Sequence, residues 1–123
     1  MEKAKRVLFL DDDYERYATL KHNHPDWEIT WTQTVSAFIE CARKHHYDEI
    51  WLDHDLGYFV MNWITRDIEM KTGQDACNLL MIDPGNAIGT KIRIHSWNPE
   101  GAEKMEKILK SLDFFPIIER VEF

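Results

Sequence analysis

The stretch Ile50-Trp51-Leu52-Asp53-His54-Asp55-Leu56-Gly57 carries an apolar run straight into two aspartates that flank a histidine. A short apolar run of this kind is typical of a strand that is buried on both faces of a parallel sheet. Two further strand-like runs end in the same way, since residues 8–10 precede three aspartates and residues 92–94 precede His95 and Ser96. Ligand crevices in open α/β sheets lie at the carboxyl ends of the strands, so these runs predict a functional site there.

Strand-like and helix-like segments alternate along the chain. Strands are predicted at residues 6–10, 27–32, 49–52, 91–94 and about 116–121. Helices are predicted at residues 14–22, 35–42, 72–82 and from residue 99, with N-caps at Thr34 and Asn98. The buried face of the last helix is predicted to consist of Ala102, Met105, Leu109 and Leu112. This order implies a mostly parallel sheet with right-handed crossovers. The first and third strands are continuously apolar and belong in the middle, whereas the second and fifth are mixed and belong at the edges. We therefore predict one α/β domain over residues 1–123, a flavodoxin-like three-layer sandwich with strand order 2-1-3-4-5.

Composition and charge limit the classes of function. The chain has 123 residues, of which 44% are hydrophobic and 30% charged, as expected for a globular domain. Its net charge of −7 argues against binding long duplex nucleic acid by phosphate neutralisation, but it is compatible with a small anionic substrate reached through a metal ion. No stretch is long enough to span a membrane, and the apolar start is too short for a secretory signal. Cys41 and Cys77 fall in helical patterns and are expected to be buried thiols, which favours a reducing, cytoplasmic compartment. Because no stretch could span a membrane, no membrane partner is expected.

The predicted strand order brings the residues at the strand ends together. Because the first and third strands are neighbours, Asp11, Asp12 and Asp53 would meet across one crevice, with His95 beside them on the fourth strand. Carboxylates in such a position can hold a hard divalent cation. Three adjacent aspartates would repel one another unless a cation or Arg16 neutralised them, so a metal role is favoured over helix capping alone.

This arrangement resembles a response-regulator receiver domain. In receivers such a trio binds magnesium, and the third-strand aspartate accepts phosphate. The resemblance selects Asp11, Asp12 and Asp53 for these roles and leaves Asp13 as a helix cap. Receivers also have a lysine at the end of the fifth strand and a helix after it. The fifth strand here offers Arg120 but no lysine, and the last receiver helix is expected to be missing.

A longer set of motifs resembles one family more closely. The blocks are Leu10-Asp11-Asp12 with Arg16, residues 52–57, Thr72-Gly73, and His95-Ser96-Trp97-Asn98-Pro99 with Gly101. In this order they resemble the cyclic-phosphate processing receiver-like domain family over nearly the whole chain, apart from residues 58–71. The resemblance implies a receiver-derived fold and the processing of cyclic phosphates, such as RNA 2′,3′-cyclic ends or cyclic nucleotides.

The candidate metal ligands and catalytic residues lie in the aspartate and histidine motifs. The candidate ligands for Mg²⁺ or Mn²⁺ are Asp11, Asp12, Asp53 and Asp55, and the candidate catalytic residues are His54, His95 and Asp53. Asp55 is either a ligand or a residue that shapes the turn. The histidines are either structural, metal-bound or catalytic, and opening a cyclic phosphate needs a positioned water and a proton for the leaving oxygen.

The candidate substrate-binding residues lie close to predicted helix starts. They are Arg16, Thr72, Ser96 and Asn98. Arg16 either clamps a phosphate with two hydrogen bonds or pairs with the acids, and Thr72 either helps to bind an anion or is a plain N-cap. Ser96 occupies the place where receivers have a phosphate-contacting hydroxyl, whereas Asn98 is the better cap. The apolar insertion 58–71 is expected to pack over the sheet edge or to form a homodimer contact, with a lid or a base-stacking surface as alternatives.

These residues favour a metal-dependent phosphoesterase that acts on a cyclic phosphate of a nucleotide or RNA end. Two alternatives stay open, namely a signalling receiver phosphorylated on Asp53 and a non-catalytic module that binds nucleotides. The missing lysine of the fifth strand argues against the signalling receiver.

Overall fold

The computed structural model of the chain describes residues 3–61 and 68–122, with the side chains of 58–61 and 68–70 left out of the description. The elements, in chain order, are β1 (Arg6–Leu10), α1 (Tyr14–Asn23), β2 (Glu28–Thr32), α2 (Val35–Lys44), β3 (Glu49–Leu52), β4 (Asp55–Met61), β5 (Ile68–Thr72), α3 (Gly73–Ile82), β6 (Lys91–Ile94), α4 (Pro99–Leu109) and β7 (Ile118–Arg120).

Five of the strands form one parallel sheet in the order β2-β1-β3-β6-β7. With β4 and β5 set aside as a separate hairpin, this is the predicted order 2-1-3-4-5, and the prediction is confirmed. The register aligns the strand ends, because Leu52 pairs with Leu10 on one side and with Ile94 on the other. The residues that follow these three strands therefore stand side by side at one edge of the sheet.

The insertion between β3 and α3 forms a two-stranded antiparallel hairpin. The pairing of β4 with β5 runs from Asp55 and Thr72 to Met61 and Ile68, and it starts before the predicted insertion 58–71. The register is irregular between Asp55 and Tyr58, where Gly57 has a φ of 65°, a left-handed conformation that favours glycine. Residues 62–67 and most side chains of the hairpin lie outside the described part, as do the packing, dimer, lid and stacking roles predicted for them.

The two faces of the main sheet are covered differently. On one face α2, α3 and α4 enclose a large core that includes Phe38, Leu80 and Met105. The other face carries α1 over a smaller cluster that is built on Phe9 and Trp51. Within residues 3–61 and 68–122, β7 is the last element.

The prediction that Leu112 extends the buried stripe of α4 is wrong. Ala102, Met105 and Leu109 are buried as predicted, but α4 ends at Leu109 and the chain then turns. The Leu112 side chain is consequently 52% exposed.

The helix starts follow the predicted caps. Thr34 caps α2 and Asn98 caps α4, and Asp13 caps α1. Both cysteines are free thiols, with Cys77 buried and Cys41 half-buried. Among the described residues, no helix combines the length and the apolar character that crossing a membrane requires.

Candidate functional site

Three carboxylates converge at the ends of β1 and β3. Asp11, Asp12 and Asp53 each present an oxygen, and these oxygens all lie within 4.8 Å of one another. Asp11 and Asp53 are buried, whereas Asp12 is exposed. A Cβ at Gly57 would stand 2.6 Å from Oδ2 of Asp12, so this glycine leaves room for the carboxylate. Three converging oxygens of this kind suit a hard divalent cation such as Mg²⁺ or Mn²⁺, so the donor set fits the metal that the sequence predicts.

Arg16, in the first turns of α1, reaches back into the carboxylates. Its Nε donates to Oδ2 of Asp11 at 2.7 Å, and its Nη2 donates to Oδ1 of the same residue at 2.8 Å. Nη2 also lies 3.3 Å from Oδ2 of Asp53 and 3.7 Å from Oδ1 of Asp12. Of the two roles predicted for Arg16, the structure therefore shows the pairing with the acids. The guanidinium supplies part of the positive charge that the cluster needs, so a metal ion would compete with it for the carboxylates.

The two buried carboxyl groups differ in acidity. Burial by itself would raise the pKa of Asp11, but the hydrogen bonds from His95 and Arg16 outweigh it and lower the pKa to about 2. Burial, and after it the charge of Asp11, raises the pKa of Asp53 to about 7, although Arg16 opposes the shift. Asp53 therefore lacks part of the positive charge that its ionised form requires, and a bound cation would provide it.

His95 is buried behind Asp11. Its Nε2 lies 3.0 Å from Oδ2 of Asp11, and because an ionised carboxylate only accepts, Nε2 carries the proton and donates it. The imidazole stacks on Phe9 at a centroid distance of 4.8 Å and lies near Trp51. Burial lowers the pKa of His95, against the opposing effect of Asp11. This geometry suits a residue that orients Asp11. The His95 side chain is only 1% exposed, so it is poorly placed to transfer a proton directly to a substrate.

His54 points away from the three carboxylates. Its Nδ1 lies 2.7 Å from Oδ1 of Asp55, and its ring rests against the start of α4, where a Cβ at Gly101 would be 2.6 Å from it. The His54 backbone N–H nevertheless donates to Oδ1 of Asp53 at 2.9 Å. Asp55 is exposed and lies outside the group of three carboxylates. The His54–Asp55 pair thus stands beside the group and is not part of it.

A small cleft of about 120 Å³ opens beside the carboxylates. Its lining residues are Arg16, Asp53, Asp55, His95 and Trp97. Trp97 is not among the site residues predicted from the sequence, where it is only one member of a motif. The available signal was a large aromatic side chain in the short polar segment between a strand end and a helix cap. Its indole is 83% exposed, and the guanidinium carbon of Arg16 lies 5.9 Å from the ring centroid.

The other predicted phosphate-binding residues are engaged in local hydrogen bonds. Thr72 caps α3 in a capping box, since its Oγ1 accepts from the N–H of Gln74 and its own N–H donates to Asp75. Oγ of Ser96 accepts from the N–H of Asn98 at 3.1 Å, and Oδ1 of Asn98 accepts from the next helical turn. These bonds fix the loop before α4, and phosphate contacts by the three residues stay predictions.

Solved structures similar to this chain include receiver domains. A CheY-like receiver domain protein from Methanospirillum hungatei aligns with a TM-score of 0.65 at 13% identity, covering 97% of this chain and 81% of that one. A receiver domain from Methylobacillus flagellatus aligns with a TM-score of 0.66 at 11% identity, covering 97% and 86%. A response regulator from Burkholderia pseudomallei, solved with a phosphorylated aspartic acid and a calcium ion, aligns with a TM-score of 0.61 at 15% identity, covering 94% and 59%. At such identities the likeness establishes the fold.

The sequence itself matches one family. No curated protein matches the chain. The model of the cyclic-phosphate processing receiver domain, in contrast, matches residues 6–111, a span that contains every motif block from β1 to the start of α4. The chain therefore belongs to the family of cyclic-phosphate processing receiver domains.

Proposed function

We propose that this chain binds one Mg²⁺ or Mn²⁺ ion between Asp11, Asp12 and Asp53 and hydrolyses a cyclic phosphate of a nucleotide or RNA end. The observation that carries the proposal is the convergence of three carboxylates within 4.8 Å of one another, next to a cleft lined by an arginine. Membership of the family supports the choice of a cyclic phosphate. The calcium ion of the Burkholderia response regulator supports divalent-ion binding by a domain with this fold.

The metal ion and Arg16 can both bind the substrate phosphate if they share the carboxylates. The contact of Arg16 with Asp53 is 3.3 Å long, whereas its two contacts with Asp11 are 2.7 and 2.8 Å. An incoming ion would therefore displace the guanidinium from Asp53 before it displaces it from Asp11. Arg16 lines the cleft, so the Nη2 group that no longer bonds to Asp53 can donate to a phosphate oxygen.

The reaction requires a water to form a bond to phosphorus while one ester P–O bond breaks and its oxygen takes a proton. When bound, the metal would polarise the phosphate and lower the pKa of a water molecule. His95 holds Asp11 in orientation. Asp55 lines the cleft and lies 2.7 Å from Nδ1 of His54, which supports Asp55, backed by His54, as the group that delivers the proton.

Phosphorylation of Asp53 as a signalling device is the second candidate, and the end of β7 is unfavourable to it. Nε of Arg120 bonds to Oε2 of Glu106 on α4 at 2.7 Å, so this cation is committed to the helix surface. In the described part of the chain, no lysine takes the place that receivers give to their fifth-strand lysine.

The deciding experiment incubates the protein with 2′,3′-cyclic nucleotides, 3′,5′-cyclic nucleotides and RNA carrying a 2′,3′-cyclic end, each with Mg²⁺, Mn²⁺ or EDTA. We expect metal-dependent hydrolysis that Asp53→Asn removes, whereas Asp113→Asn, a change of an exposed aspartate far along the chain, retains it. Acetyl phosphate is the complementary reagent. A stable phosphoryl adduct on Asp53 with no turnover of any cyclic phosphate would replace the proposal by the signalling function.

A further inference from the structure

Trp97 stands out because it is a large apolar side chain that the fold exposes while fixing the backbone around it. The residue follows β6 and is 83% exposed. Ser96 and Asn98, on either side of it, are tied together by the bond from the Asn98 N–H to Oγ of Ser96. Oδ1 of Asn98 in turn accepts from the N–H of Gly101. The indole is thus carried on a rigid turn, which limits the loss of backbone freedom on binding a partner.

Exposure alone does not distinguish Trp97, because single exposed apolar residues are ordinary on protein surfaces. The indole lines the same cleft as Asp53, and the Arg16 guanidinium lies 5.9 Å from its ring centroid while touching Asp11 and Asp53. One guanidinium group therefore separates the aromatic face from the carboxylates. In a nucleoside 2′,3′-cyclic phosphate, the ribose likewise joins the phosphate on one side to the base on the other.

We infer that Trp97 is a specificity-determining residue that stacks on the nucleobase of the nucleotide whose ribose carries the cyclic phosphate. This inference rests on the proposed function and narrows its substrate class to nucleoside cyclic phosphates, including RNA ends, against cyclic phosphates without a base. Stacking on an indole tolerates every base, because each base has a π-face. The chain is acidic overall and its cleft contains two carboxylates, so an apolar contact to the base adds binding that charge cannot supply.

The test compares two substrates and three variants. The substrates are 2′,3′-cyclic AMP and glycerol 1,2-cyclic phosphate, which has the strained ester without a base. The variants are Trp97→Ala, Trp97→Phe, and, as a control for the loss of any exposed apolar side chain, Ile82→Ala at a position that is 77% exposed on α3. Steady-state KM and kcat are measured with Mg²⁺, and the quenching of tryptophan fluorescence is titrated with each compound.

We expect Trp97→Ala to raise KM for 2′,3′-cyclic AMP roughly tenfold with little change in kcat, since stacking on one aromatic residue typically contributes about that factor in affinity. The KM for glycerol 1,2-cyclic phosphate should stay within about twofold of the unmodified protein, as expected for a surface change away from the reacting ester. Trp97→Phe should restore most of the nucleotide affinity, and Ile82→Ala should match the unmodified protein.

Two results separate this inference from the proposed function. If neither compound is hydrolysed but 2′,3′-cyclic AMP quenches fluorescence in the unmodified protein and not in Trp97→Phe, hydrolysis fails and the base-stacking role stands. If Trp97→Ala weakens the binding of both compounds equally, the base-stacking role is overturned. The same holds if the variant weakens the binding of neither compound and leaves the fluorescence quenching unchanged, whether or not the protein is an enzyme.

Discussion

Asp11 and Asp53 follow neighbouring strands and are both buried, but the fold treats their charges differently. Burial opposes the ionisation of each. At Asp11 a forked arginine and a histidine N–H more than compensate, and the pKa falls to about 2. At Asp53 a 3.3 Å contact from Arg16 and one backbone N–H do not compensate, and the pKa rises to about 7. The protein thus neutralises the charge of Asp11 with its own side chains, whereas ionised Asp53 would need a proton or an added cation.

Replacing Asp11 should have the largest effect on stability. Asp11→Asn would leave the Arg16 guanidinium and the His95 N–H without the carboxylate that binds both. Breaking a buried ion pair by removing one partner typically costs about 3 kcal/mol, so we expect the free energy of unfolding to fall by about that amount. Urea denaturation in EDTA at pH 7 measures it, with Asp113→Asn as the control. A loss below about 1 kcal/mol, the size expected of an exposed pair, would remove the contrast between the two aspartates.

The corresponding change at Asp53 should act in the opposite direction. The unfolded chain releases the Asp53 proton near 3.8 and the folded chain near 7, so between these values the folded state binds more protons. The contribution of Asp53 to stability is therefore full below pH 4 and is lost as the pH rises through 7. Asp53→Asn should stabilise the metal-free protein by about 2 kcal/mol at pH 8 and by much less at pH 5. Urea titrations of both proteins across this range measure the difference, and a gain that is the same at both pH values would refute the raised pKa.

Removing Arg16 should end the competition between the arginine and a metal ion for the carboxylates. Arg16→Gln takes away the internal cation, so Mg²⁺ or Mn²⁺ should bind about tenfold more tightly, a change of about 1.4 kcal/mol, even though the metal-free fold is weakened. Calorimetric titration with Mn²⁺ gives the affinity, and the metal-induced rise in melting temperature gives an independent reading. Arg43→Gln, at an arginine that pairs with Asp83, is the matched control. Unchanged or weaker metal binding in Arg16→Gln would show that the arginine and the ion do not share the carboxylates.

Asp12 should show the smallest effect on the metal-free fold. Its carboxylate is exposed and lies 3.7 Å from Arg16, so Asp12→Asn should change the free energy of unfolding by no more than about 0.5 kcal/mol in EDTA. The same variant should lose most of the stabilisation that Mn²⁺ gives, because it lacks one of the three converging oxygens. Thermal melts with and without Mn²⁺ test both statements. A full metal response in Asp12→Asn would take this residue out of the ligand set.

The sequence predicted the sheet and the meeting of the carboxylates for the same reason. Apolar runs define the strands, and the difference between continuously apolar and mixed strands predicts their order in the sheet. Neighbouring parallel strands end at the same edge of the sheet, so Asp11 and Asp53 lie close together. The directions of side chains beyond the strand ends depend on packing that no local pattern encodes. His54 turns away because Gly101 leaves a place for its ring on α4, and Arg16 turns inward because Asp11 is buried and needs a cation. Trp97 escaped notice because its exposure is a property of the folded cleft.

The indole of Trp31 can report on Asp11 in a nuclear magnetic resonance spectrum. Its Nε1–H donates to the backbone carbonyl of Asp11 at 2.8 Å, while its ring stacks on Tyr17 at a centroid distance of 4.7 Å. A movement of the Asp11 peptide therefore alters a hydrogen bond to an indole, and indole N–H groups give well-separated signals in a proton–nitrogen correlation spectrum. Five such signals are expected from the five tryptophans, and assignment by Trp31→Phe would identify the one that reports on Asp11. The protein thus carries a native resonance that follows the state of its acidic centre without any attached label.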